Sequence, residues 1–99
     1  MSALTRQIEI VNRKGLHARA SAKLAELALE LPTIVTVSFE GESADARSIM
    51  DLLCLGAGIG SVVSLSAEGD DAERALDAVS ALFTDGFGEL EEDAACACK

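Results

Sequence analysis

The chain has no tryptophan and no tyrosine, and its only aromatic residues are three phenylalanines. With so few rings to stack against bases, recognition of single-stranded nucleic acid has little to work with. Positive charge is scarce too: eight Lys and Arg stand against seventeen Asp and Glu, for a formal charge of −9. Nucleic acid and anionic membranes both need clustered cations, so neither is an expected partner. No apolar run approaches the roughly 20 residues that cross a bilayer. The opening MSALTRQIEI lacks the basic, apolar and cleavage regions of a secretory signal, so a cytoplasmic protein without membrane insertion is expected. The three cysteines form no even disulfide framework. Cys54 lies in an apolar run and reads as a small buried hydrophobe. Cys96 and Cys98 give a CAC tail with too few thiols for a closed zinc site. No metal is expected.

What is present is aliphatic. Of the 99 residues, 49% are apolar, enough for one small domain with one core of Leu, Val, Ile and Ala. Residues 4–11 alternate as a strand, with Ile8 and Ile10 on one face. Ala20, Leu24, Leu27 and Leu31 recur at helical spacing over 18–31, and Pro32 stops that helix. Strands are expected at 33–39, 42–46 and 61–68, and a short helix at 48–55. The clearest helix runs over 71–84, with Ala72, Ala75, Leu76, Val79, Leu82 and Phe83 as one apolar stripe. Polar positions such as Glu9, Thr36, Ser64 and Ser66 fit a sheet with one wet face. Three helices cannot cover both faces of four strands, so the pattern βαββαβα predicts an α+β two-layer domain with the helices on one face. This domain is expected to span 1–88, with an acidic tail over 89–99.

The only histidine, His17, stands at the junction of a turn and the first helix, in KGLHARASAK. Gly15 suits a tight turn. A helix beginning at Ala18 leaves the N–H groups of Ala18, Arg19 and Ala20 without intrahelical acceptors. Those donors and the helix dipole make an anion site, at which Arg19 can aim a planar guanidinium. A ring nitrogen lone pair of His17 could attack phosphorus there, and the product would land among donors already in place. Charge placement agrees. Arg13, Lys14, Arg19 and Lys23 are half of the cations, and no acid lies between Ile10 and Ala25. Residues 68–93 hold ten acids and only Arg74. Spacing by itself leaves another reading open, in which His17 is an exposed helix cap on a solvated basic loop.

The segment NRKGLHARASAKL resembles the active-site segment of HPr, the histidine-containing phosphocarrier family of the bacterial phosphotransferase system, whose pattern is Gly-Leu/Ile-His-x-Arg-Pro-Ala. ARSIMDLLCLGAGIGSVVSLSAEGDDAERAL resembles the same family's second-site serine helix, glycine turn, last strand and last helix. The resemblance covers about residues 4–88. It implies an open-faced β-sandwich of four antiparallel strands with three helices on one face. It implies a relay protein with a transient phosphohistidine rather than a stand-alone enzyme, monomeric and without a cofactor.

By this resemblance His17 would take phosphate from enzyme I, charged by phosphoenolpyruvate, and pass it to an enzyme IIA, for sugar uptake or nitrogen-type regulation. Arg19 would stabilise the phosphoryl group, and Ser48 would match the serine that an HPr kinase/phosphorylase modifies. Ile49, Met50 and Leu53 of the second helix would include partner-docking contacts. Two residues depart from the pattern: Ala20 replaces the usual proline and adds an N–H, and Asp51 replaces a common glycine three residues after Ser48. Ser48 and Asp51 also fit a plain capping box. Three rival readings are a regulatory module that docks without carrying phosphate, a small anion-binding domain, and a thiol–metal tail.

Overall fold

A computed structural model describes residues 3–88. The elements are β1 (Ala3–Glu9), α1 (Ala18–Glu30), β2 (Val35–Phe39), β3 (Glu42–Asp45), α2 (Ile49–Leu55), β4 (Val62–Glu68) and α3 (Ala72–Thr84), closed by a 3-10 turn at Gly86–Gly88. The order is the one expected from the pattern, with the 3-10 turn added. The expected tail 89–99, with Cys96 and Cys98, lies outside the described residues.

The four strands form one antiparallel sheet in the order β1-β4-β2-β3. Alternation decides which face is covered. Val63, Leu65 and Ala67 of β4 and Val35 and Val37 of β2 are buried, while Ser64, Ser66 and Thr36 between them remain partly solvated. The buried face meets α1 through Ala20, Leu24 and Ala28, α2 through Leu52 and Leu55, and α3 through Ala75, Leu76 and Val79. β2 and β3 are joined by a two-residue turn in which Glu40 and Gly41 both take positive φ, 50° and 84°. That is the primed geometry whose twist matches two flanking strands. Helix α1 ends where Pro32 forces its predecessor out of the helical region: Leu31 is extended, at φ −85° and ψ 146°.

One expectation needs correction. Cys54 is exposed, not buried. Leu52 and Leu55 turn inward, and a residue two positions past Leu52 on a helix points roughly the opposite way. The exposed Asp51, three positions earlier on the same helix face, carries the phase that the apolar residues flanking Cys54 obscure. Beyond α3 the fold continues through the 3-10 turn at Gly86–Gly88. Phe87 takes φ 57° in the 3-10 turn, is fully buried, and packs edge-on against Phe83 with ring centroids 4.9 Å apart. Strand boundaries differ by one or two residues. Ile10 falls just past β1 yet is fully buried, and its N–H still donates to the Ser61 carbonyl at 2.9 Å.

At the sheet edge Arg6 donates to Asp77 at 2.6 Å and to the Ser80 hydroxyl at 3.4 Å, linking β1 to α3. Among the described residues no helix is long and apolar enough to cross a membrane. Phe87 is fully buried against Phe83, so Phe87→Ala is expected to cost about 3 kcal/mol, the usual cost of emptying an aromatic core site, read as a lower urea midpoint with the secondary structure retained.

Candidate functional site

The site begins with a turn. The Gly15 N–H donates to the Asn12 carbonyl at 3.1 Å, and the Asn12 side-chain amide donates back to the Gly15 carbonyl at 2.9 Å. Asn12 is fully buried, so this turn is fixed from inside. Gly15 has φ +64°, and a Cβ there would lie 2.5 Å from the Ala57 carbonyl oxygen and 2.6 Å from the Gly58 Cα. Only a residue without a side chain permits both the conformation and the approach. The same Ala57 carbonyl accepts the Leu16 N–H at 3.0 Å. One step away, the Gly60 N–H donates to the Ile10 carbonyl at 2.8 Å. The loop before α1 is thus laced, backbone to backbone, to the loop after α2.

Leu16 is 5% exposed and pins the loop to the core. His17 follows as the N-cap of α1, extended at φ −79° and ψ −179°, with no side-chain capping bond. It is half-buried, so the ring is within reach of solvent. The first bond of the helical ladder runs from the Ser21 N–H to the His17 carbonyl at 2.8 Å. The amides of Ala18, Arg19 and Ala20 precede it, at the positive end of the dipole. The Ser21 hydroxyl donates to the Leu16 carbonyl at 3.2 Å and Ala20 is fully buried, so the first turn is held at its inner side. No acid occurs in that turn. Arg13, Lys14 and Arg19 are exposed around it. Lys23, one turn below Arg19, donates to the Phe87 carbonyl at 2.7 Å.

Ser48 lies elsewhere, at the start of α2. It is the N-cap, and its hydroxyl accepts the Asp51 N–H at 3.3 Å. Just before it, Arg47 grips Asp45 through Nε at 3.1 Å and Nη2 at 2.8 Å. The Arg47 guanidinium, with the Arg47 backbone N–H as a second donor, holds the Asp45 carboxyl below its ordinary value of 3.8. On α2, Met50 is 69% and Ile49 40% exposed, while Leu53 is half-buried. Helices α1 and α2 pack together, so these side chains stand on the helix next to the one that His17 caps.

The arrangement offers a reachable imidazole at a helix N-terminus among cations. A shallow cleft of about 630 Å³ lies between the end of α1 and the sheet, lined in part by Leu29, Pro32, Ile34 and Arg47, and includes none of the residues around His17. Among the described residues no group of His, Cys, Asp and Glu could hold a metal ion.

Three features escaped the sequence reading: the buried side chain of Asn12, the exposure of Ile59 and the long-range bond of Lys23. Asn12 could have been found from its Asn-x-x-Gly spacing, a turn signal. Ile59, 58% exposed between two glycines of the lacing loop, had no local signal, and neither did the bond from Lys23 to Phe87, 64 positions away.

The family profile described as the phosphorylation site of the PTS HPr component matches residues 4–85. A phosphocarrier protein HPr of Cupriavidus necator is 49% identical over 88 residues, which cover 89% of this chain and 99% of that protein. A phosphocarrier protein NPr of Shewanella violacea is 44% identical over 89 residues, 90% of this chain and 98% of that one. The crystal structure of HPr-C-His from Thermoanaerobacter tengcongensis superimposes with a TM-score of 0.79 at 42% identity, covering 90% of this chain and 98% of that one.

Two outcomes follow from the geometry. Gly15→Ala is expected to destabilise the domain by at least about 2 kcal/mol, since a positive φ and a backbone collision act together; urea unfolding measures it. Asp45→Asn is expected to lower the urea midpoint slightly at pH 6. Because the folded state holds that carboxyl below 3.8, its contribution is complete above that value and is lost as pH falls through the lower folded value. The gap between variant and native chain should therefore close on acidification.

Proposed function

The chain belongs to the HPr phosphocarrier family of the phosphotransferase system, and from that membership we propose that His17 accepts a phosphoryl group from enzyme I and gives it to an enzyme IIA. The observation that carries the reading is the placement of His17 as the N-cap of α1, ahead of the first helical bond. In the transfer, a ring nitrogen of His17 forms a bond to phosphorus as the bond to the donor's histidine nitrogen breaks in line with it. The reverse exchange delivers the group to the acceptor. The phosphoryl oxygens gain the amides of Ala18, Arg19 and Ala20 and the guanidinium of Arg19. Catalysis is then mostly positioning and electrostatics, with no cofactor needed. Ala20 supplies an N–H where the family pattern has proline, which adds a donor to the set.

The working unit is a monomer in the cytoplasm. Ile49, Met50 and Leu53 contribute to the surface on which both partners dock, because the exposed apolar side chains of α2 lie beside the helix that His17 begins. The sugar-uptake and nitrogen-type branches share this chemistry, and the enzyme IIA that drains the phosphohistidine fastest assigns the branch. Ser48 is the hydroxyl for an HPr kinase/phosphorylase. A phosphate there would gain from the start of α2 and lose from the exposed Asp51 carboxylate, and it would give up the capping bond.

Incubation with enzyme I and labelled phosphoenolpyruvate should place acid-labile label on the native chain and none on His17→Ala. Full partner regulation by His17→Ala would instead favour a docking module that carries no phosphate. Met50→Asp should slow labelling about tenfold or more without shifting the urea midpoint, and unchanged labelling would put the docking face elsewhere. An ATP-dependent HPr kinase should give acid-stable label that Ser48→Ala abolishes.

A further inference from the structure

Three large apolar side chains that the fold leaves exposed gather at one end of the sheet: Val11 at 38%, Ile59 at 58% and Val62 at 52%. We propose that they form a docking ridge, led by Ile59, that lies within the footprint of any protein exchanging phosphate with His17 and enters an apolar hollow rimmed by acids on that protein. The proposal rests on the relay reading above and concerns a face that α2 does not provide. The backbone builds the ridge. The Ile10 N–H donates to the Ser61 carbonyl at 2.9 Å, and the Ile10 carbonyl accepts the Gly60 N–H at 2.8 Å. Two residues thus oppose one, the pattern of a bulge. One residue further out lie Val11 on one strand and Ile59 on the other. Val62 opposes Glu9 in the β1–β4 ladder, and Val11 follows Glu9 by two, so Val62 and Val11 belong to the same face.

A turn holds Ile59 in place. The Ser61 N–H closes on the Gly58 carbonyl at 3.1 Å, with Ile59 and Gly60 between them and Gly60 at φ +84°. Polar residues and glycine usually fill such turns, so nothing in the turn itself calls for an isoleucine. The tip is pinned at both ends, and little freedom remains to be lost when a partner covers it. Its distance from the chemistry is bounded by the loop contact. The Gly58 Cα lies 2.6 Å from where a Cβ of Gly15 would stand. Counting Cα steps from there, Ile59 is at most about 16 Å from His17. A contact patch of about 800 Å² per partner, if circular, has a radius of about 16 Å. Exposed Arg13 and Lys14 follow Val11 in the same loop, so the ridge has a cationic border whose complement is acidic. Leu29, 69% exposed, lies by contrast about 18 Å along α1 from His17.

The test follows loading by enzyme I with labelled phosphoenolpyruvate, and discharge to an enzyme IIA, for the native chain, Ile59→Ser, Val11→Thr and Leu29→Ser. Ile59→Ser should raise the KM for the chain about five- to twentyfold with either partner, the range of one well-packed apolar contact, and leave kcat nearly unchanged. Val11→Thr should act in the same direction by a smaller factor, and Leu29→Ser should match the native chain. Urea midpoints should coincide, because all three side chains are exposed. Phosphoramidate, which phosphorylates histidine without a docking protein, should label Ile59→Ser at the native rate. An unchanged KM for Ile59→Ser with either partner, an equal loss in Leu29→Ser, or slowed labelling by phosphoramidate would overturn the ridge. A native chain that takes no label from enzyme I marks failure of the relay reading. A native chain that does, beside an Ile59→Ser chain with the same KM, marks failure of the ridge alone.

Discussion

The whole site depends on one close backbone approach, between Gly15 and the Ala57–Gly58 peptide. A side chain at position 15 would have to occupy space 2.5 Å from a carbonyl oxygen. Its absence lets the loop before α1 lie against the loop after α2, where Leu16 donates to Ala57 and Gly60 donates to Ile10. These bonds continue the β1–β4 pairing beyond the end of the strands. They connect the sheet, through Ile10, to the point at which α1 must begin. His17 occupies its position because the residues on either side have no other place to go: Leu16 is held in the core, and Ala20 is buried one turn on.

A phosphoryl group is bound at such a site mainly by backbone. Amides at a helix N-terminus are already oriented, and α1 is anchored by Ala20, Leu24 and Ala28, so little reorganisation is left for the moment of transfer. The cations surround this point while acids dominate the later half of the chain, so that an acidic protein presents one basic face. Complementary fields of that kind speed encounter and reject wrong partners more than they add affinity. On the proposed reading, the exposed apolar side chains of α2 would supply contact area for partners beside the helix that His17 caps. A relay needs this combination, because it must bind two different proteins and release both.

Most of the fold was legible because its signals are local. Alternation in β2 and β4, the apolar stripe of α3, Pro32 after α1 and the helix start at Ala18 all lie within a few residues of their effects. The first-turn donors of α1 and the capping role of Ser48 were legible for the same reason. What was missed depends on distant partners or lacks contrast. Cys54 has leucines on both sides, and the phase of its short helix rests on one polar residue, Asp51, three positions back. Phe87 is buried only because Phe83 lies one turn back and the chain bends at positive φ, which a phenylalanine does not advertise. The lacing of residues 10–16 to residues 57–61 joins segments more than forty positions apart, and a glycine-rich stretch read alone shows only a break.

Amide hydrogen exchange at Leu16, Gly60 and Ile10 tests most directly whether the start of α1 is fixed before any phosphoryl group arrives. The account requires the three amides to be protected together and to open with a single free energy, since they belong to one laced unit. Leu16 exchanging like an open loop while Ile10 and Gly60 stay protected would contradict it, because the backbone contact could then not be what positions His17.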